Sequence, residues 1–140
     1  MAVSQAFIDA DVIVRFLTGD DPQKQLAAAR LLEHAEQGLV ELHTPVTTIA
    51  DVVYVLTSPR LYRIDRSELS AMMVALLQAT RIKIQNREAV IKALTLFGGS
   101  KLDFGDALIA ASMLEEGIDV LYSYDRDFDK LEGLRRSEPT

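Results

Sequence analysis

Short apolar runs alternate along this chain with longer stretches of helical periodicity, and that alternation restricts the fold more than any other feature. Residues 5–8, 40–44, 82–84 and 120–122 are too brief for helices and read as strands; 5–8 reads as buried, 40–44 as a strand or edge segment. Between them, Val12 to Leu17 span about two helical turns. Asp21 then stands as an N-cap before Pro22, and Ala28, Leu31, Leu32 and Ala35 follow as an apolar stripe closed by Gly38. Ile49, Val52, Val53 and Leu56 repeat at helical spacing until Ser58 and Pro59 stop them. Asp65 to Glu68 resemble a capping box ahead of Leu69, Met72, Met73 and Leu76. Asn86 is placed to cap a helix with Val90, Leu94 and Phe97 inward, and Gly98-Gly99-Ser100 reads as a flexible connector. The stretch 103–116 is apolar nearly all round, which predicts heavy burial, and Gly117 ends it. The polar tail from Arg135 is expected to be loose. Strands alternating with helices predict an α/β fold with a parallel sheet covered on both faces.

Composition narrows the class. At 140 residues, 49% of them apolar, one domain spanning 1–140 is expected, with a core of Leu, Ile, Val and Ala because aromatics reach only 6%. There is no cysteine, so thiolate metal sites and disulfides are excluded. The start lacks a signal-peptide pattern, and no window approaches the roughly 18 apolar residues of a membrane span. A cytoplasmic protein that does not enter membranes is the expectation. The net charge of −6 argues against a generally basic phosphate-binding surface. It leaves room for a carboxylate site whose sign a bound cation reverses.

Carboxylates recur beside the apolar segments. Asp9 and Asp11 follow Ala6-Phe7-Ile8; Asp51 sits within a helix; Asp103 and Asp106 open another; Asp125 and Asp127 follow Val120-Leu121-Tyr122. Ligands in open α/β sheets collect beyond the carboxyl ends of strands, where Asp9 and Asp125 stand, and their two strands are expected at the sheet centre. Asp106 shares a helix face with Ala110 and Met113. Asp51 points away from its apolar stripe, as a solvated residue would. Each has an ordinary structural role open to it: Asp9 and Asp103 as helix caps, Asp125 and Asp127 as turn residues. Jointly, an oxygen-lined pocket suited to Mg²⁺ or Mn²⁺ and to phosphodiester hydrolysis is the sharper reading.

The opening Phe7-Ile8-Asp9-Ala10-Asp11-Val12 to Leu17, Asp51 before Val52-Val53-Tyr54, Asp103-Phe104-Gly105-Asp106-Ala107-Leu108, and Ser123-Tyr124-Asp125-Arg126-Asp127-Phe128 together resemble the PIN-domain nucleases, most closely the VapC-type toxins of toxin–antitoxin pairs. The resemblance implies a three-layer α/β/α sandwich around a central parallel sheet. It also implies an endoribonuclease dependent on Mg²⁺ or Mn²⁺, usually homodimeric and silenced by a small cognate antitoxin. On that resemblance Asp9, Asp51, Asp106 and Asp125 are the catalytic metal ligands. Asp11, Asp103 and Asp127 support them, and Ser123 orients a water at the metal. The family usually has Glu where this chain has Asp51, Thr or Ser at Ala10 and Asn at Asp11.

Arg60, Arg63 and Arg66 cluster in one segment, and Lys101 and Arg126 flank acidic motifs; all can position RNA phosphates. Arg15 is expected to pair with a surface acid, and the isolated His34 and His43 to pack or lie on the surface. Tyr54 and Tyr124 are expected to pack in the core or at its rim rather than stack on bases. Two alternatives stand beside the nuclease. One is a haloacid-dehalogenase-like phosphatase using Asp9 as nucleophile, with Thr44 as its second motif, although that family's lysine has no counterpart here. The other is a catalytically weak binding module of the same fold.

Overall fold

Every paired strand in the computed structural model, which describes residues 3–140, runs parallel to its neighbour. Helices dominate the chain. β1 (Ser4–Phe7) leads into α1 (Ala10–Thr18) and α2 (Pro22–Glu36). β2 (Val40–His43) leads into α3 (Val46–Thr57), α4 (Arg66–Ala79), α5 (Arg87–Gly98) and α6 (Phe104–Glu116). β3 (Val120–Tyr122), a single 3-10 turn (Arg126–Lys130) and β4 (Arg135–Ser137) complete the order. The mixed α/β class with parallel strands is the one the alternation predicts.

β1 lies on β2 with Ser4 opposite Val40 and Phe7 opposite His43. The 82–84 run contributes one bridge, with Lys83 N–H donating to Leu42 O (2.8 Å) and Thr44 N–H to Lys83 O (3.0 Å). β3 pairs with β4. Among the described residues β1 and β3 each have one strand neighbour, so neither lies at the centre of a sheet. Nor is β1 buried: all four residues are exposed, Phe7 by 74%, and only Ile8 beyond its end enters the core. The apolar run is too short to bury both faces of a strand, and its anchor is the buried Thr44 hydroxyl, which donates to Ile8 O (2.8 Å).

The core lies among the helices. Ile49 and Leu56 of α3, Leu69, Met73 and Leu77 of α4 and Leu94 of α5 have no exposed surface. Each such side chain contributes about 1.5–3 kcal/mol by leaving water. Gly98 ends α5 as a packing point and not a flexible link: a Cβ there would lie 2.6 Å from Ser70 Cβ on α4. α6 buries one stripe, Phe104, Ala107, Ala110 and Ala111, while Ile109 and Leu114 face outward. Its even hydrophobicity hides which face is inward.

Two ends differ from expectation. Asn86 precedes α5 at φ 57° and makes no side-chain cap; Arg87 instead donates to Ile82 O (3.3 Å) and to Leu77 O. The polar tail forms β4, because Arg136 donates to Asp129 (2.8 Å), Glu138 (2.8 Å) and Ser123 O (2.9 Å). Ion pairs hold that strand, and hydropathy does not register them. Among the described residues no helix is long and apolar enough to cross a membrane.

Candidate functional site

The carboxylates are seated by local hydrogen bonds that their own sequence positions explain. Asp9 caps α1, accepting from Val12 N–H (3.3 Å). Asp103 caps α6, accepting from Asp106 N–H (2.8 Å). Asp125 accepts from Asp127 N–H (2.9 Å) at the 3-10 turn, and its own N–H donates to Ser123 Oγ (3.0 Å). The capping and turn roles are thus realised, and each fixes a carboxylate at an element's end. Helix N-termini also favour negative charge.

Asp106 occupies the first turn of α6 and is half-buried. Burial raises its proton affinity, and the negative charges of Asp103, Asp125 and Asp127 raise it further. The fold therefore brings Asp103, Asp106, Asp125 and Asp127 into one electrostatic neighbourhood. Asp9 and Asp51 are not among the charges acting on Asp106. Asp51 lies on the exposed face of α3, as its spacing predicts.

Among the described residues Asp9, Asp51, Asp103, Asp106 and Asp125 form no ion pair, whereas Asp11 is bound by Arg15 (3.3 Å) and Asp127 approaches Lys130 (3.9 Å). Ser123 is held from both sides of its peptide: its N–H donates to Ser137 O (3.0 Å) and its carbonyl accepts from Arg136.

The residues match the PIN domain family model from position 6 to position 134. The chain belongs to the PIN domain family. Members are typically nucleases that act on nucleic acid and use divalent metals, so a nuclease-like function follows for this PIN domain. Its parallel strands and abundant helices are consistent with the three-layer α/β/α arrangement of that fold. Curated protein sequences contain no significant match to it.

The donor chemistry of this PIN domain fits a hard divalent cation: the ligands are oxygen only, and although Lys130 approaches Asp127 and Arg66 lies in the field of Asp103, Asp106 and Asp125 form no ion pair among the described residues. Among the described residues no three His, Cys, Asp or Glu side chains stand close enough together to hold an ion by themselves.

The candidate nucleic-acid contacts divide. Arg60 and Arg63 are exposed in the 58–65 loop with no carboxylate partner among the described residues. Lys101 and Asp127 line a cleft of about 260 Å³ with Lys130, and Arg126 is exposed beside Asp125. Arg66 is structural instead: it donates to Phe97 O (2.9 Å) and Leu102 O, and stacks 3.7 Å over the Phe97 ring. Tyr54 and Tyr124, expected to pack, are 71% and 69% exposed. Arg15 pairs with Asp11 and Asp20, and His43 stacks on Phe7 and pairs with Glu41 (2.9 Å), both as expected.

Sequence reasoning passed over Asp20 and Tyr62. The Tyr62 hydroxyl donates to Asp20 (2.6 Å) across 42 positions, a contact that no periodicity reveals.

Proposed function

We propose that this PIN domain is an endoribonuclease that hydrolyses RNA phosphodiester bonds with Mg²⁺ or Mn²⁺, and that it is the toxin of a type II toxin–antitoxin pair. One observation supports the nuclease reading: half-buried Asp106 lies in the field of Asp103, Asp125 and Asp127 and forms no ion pair of its own among the described residues. A carboxylate cluster left in that state is suited to an ion and a phosphate brought by the substrate.

Asp106 and Asp125 are the core ligands in this reading, with Asp103 and Asp127 holding the local potential negative. Asp9, fixed at the start of α1, and Asp51, on the open face of α3, complete the set. Ser123 orients a water. A divalent ion supplies Lewis acidity and an acidified water. Arg60, Arg63, Lys101 and Arg126 take phosphates of the RNA strand.

The family match favours this nuclease over the phosphatase built on Asp9. The toxin assignment, the small antitoxin partner and the homodimer rest on the resemblance to VapC-type sequences. The cytoplasmic location rests on the lack of cysteine and of signal-peptide or membrane-span patterns, and treating residues 1–140 as one domain rests on length and composition. The test is cleavage of total RNA by purified protein with Mg²⁺, with Mn²⁺ and in EDTA, beside Asp9→Asn and Asp106→Asn. Metal-dependent cutting lost in both variants is the expected result; cutting unchanged in EDTA refutes the metal mechanism. Growth arrest on expression, relieved by Asp106→Asn and by the product of an adjacent small gene, tests the toxin role.

A further inference from the structure

The 58–65 loop is wound on itself and tied down at both ends. Leu61 N–H and Arg63 N–H both donate to Ser58 O (3.0 and 3.1 Å), and Ile64 N–H donates to Leu56 O (2.8 Å). Arg63 takes the left-handed conformation at φ 55°, a cost for a non-glycine residue that surrounding contacts must sustain. At the far end Arg66 is clamped to Phe97 and Leu102 carbonyls, and the charge of Asp103 acts on it.

The near end is held by a side-chain relay. Tyr62, packed against the core, donates its hydroxyl to Asp20 Oδ2 (2.6 Å). Asp20 Oδ1 accepts from Thr18 (2.9 Å) and from Arg15 (3.2 Å), and Arg15 also binds Asp11 (3.3 Å). Asp11 stands in the first turn of α1, two residues after Asp9. The relay Asp11–Arg15–Asp20–Tyr62 therefore connects the start of α1 to the loop that carries the exposed Arg60 and Arg63.

We infer that Tyr62 is a positioning residue for RNA: its hydroxyl, held by Asp20, fixes the Arg60 and Arg63 loop relative to the Asp9 and Asp11 end of α1, so that the two guanidinium groups meet phosphates of a strand laid along the acidic site. This rests on the ribonuclease reading. Tyr62 does not touch the substrate; it acts through the loop. Arginine positioning needs a fixed fork, and a loop free to swing loses that advantage in affinity.

The experiment is a thermodynamic cycle on RNA affinity, read by fluorescence anisotropy with a labelled oligonucleotide and no divalent metal. It compares wild type, Tyr62→Phe, Arg60→Gln/Arg63→Gln and the triple variant. Tyr62→Phe keeps the packed ring and removes only the hydroxyl. The expected result is about three- to tenfold weaker binding from Tyr62→Phe, on the scale of one ordinary intramolecular hydrogen bond. No further loss is expected when it is added to the arginine pair. Hydrogen exchange within 58–65 should rise in Tyr62→Phe, and kcat at saturating RNA should stay unchanged while KM rises. Unchanged affinity, or a loss fully additive to that of the arginine pair, overturns the inference. Wild type that binds RNA but does not cut it defeats the nuclease reading while leaving the cycle to decide on Tyr62. Wild type that binds no RNA either without divalent metal or with it overturns both.

Discussion

Two acidic regions of this molecule share a residue type and differ in how their charge is met. Near α1, Asp11 and Asp20 are bound by Arg15, and Asp20 also accepts from Tyr62 and Thr18. The Tyr62 bond foremost, then that of Thr18, holds the Asp20 carboxyl below the ordinary range. At the start of α6 the balance reverses: burial and three neighbouring carboxylates drive Asp106 upward, and neither it, Asp103 nor Asp125 finds an ion-pair partner among the described residues. Where the chain needs a carboxylate to join α1 to a loop, it provides the cation. Where it leaves carboxylates facing each other, Asp106 and Asp125 have no ion-pair partner among the described residues, which is the state that the proposed cation would relieve. Asp9 stands between the two cases, neither neutralised by an arginine nor counted among the charges on Asp106.

The largest effect expected from breaking this contrast is on activity. Asp106→Asn should lower RNA cleavage by about a hundredfold or more, the scale seen when a charged group that stabilises a transition state is lost. Arg15→Gln, on the compensated side, should leave kcat within a few-fold. Single-turnover cleavage of a labelled RNA measures both, and equal losses would erase the distinction between the regions.

Metal addition should sharpen it. An ion that binds the folded chain and not the unfolded one stabilises by about 2.7 kcal/mol at a hundred times its dissociation constant. Mn²⁺ or Mg²⁺ should therefore raise the melting temperature of wild type by several degrees. The rise should shrink sharply in Asp106→Asn and persist in Asp20→Asn. A shift that survives Asp106→Asn places the ion elsewhere.

How much of this the sequence reveals depends on the range of the forces involved. The helices are readable because caps and apolar stripes are local: Asp21, Asp65 and Asp103 each cap the helix their position predicts. The C-terminal acidic neighbourhood is partly readable for the same reason, since Asp103 and Asp106 share one helix turn and Asp125 and Asp127 one short turn. What escapes is long-range and polar. Nothing around Arg136 announces the three acceptors that make β4 a strand, and nothing around Tyr62 announces Asp20. Nor does the apolar character of Phe7 or Tyr54 show that each is left exposed: hydrophobicity states what a side chain favours, not whether the fold has room for it.

The platform beneath the C-terminal cluster offers a test of stability with a smaller effect. Arg66 satisfies carbonyls at the end of α5 and just before α6, at Phe97 and Leu102, and covers the Phe97 ring. Arg66→Ala removes the donor and leaves part-buried acceptors unmet, at a cost of about 1–3 kcal/mol. Urea unfolding checks it. A loss confined to RNA affinity, with the urea midpoint unchanged, would return Arg66 to the phosphate-binding set.

The smallest effects, and the ones that separate the two regions most directly, lie in the pH dependence of stability without divalent metal. Asp20 is depressed in the folded state, so its stabilising contribution is present above the unfolded carboxyl value of about 3.9 and fades as pH falls through its lower folded value. Asp106 is raised, so the folded chain binds the extra proton. Its favourable contribution is complete below about pH 3.9 and is lost as pH rises through its higher folded value. At neutral pH Asp20→Asn should therefore melt below wild type and Asp106→Asn above it, and both differences should shrink toward zero in acid. Melting temperatures of the three proteins from pH 3 to pH 7 test the pair of signs at once. If Asp106→Asn also melts below wild type at neutral pH, the carboxylate is stabilising where it stands, and the surplus charge assigned to that end of α6 is already met within the fold.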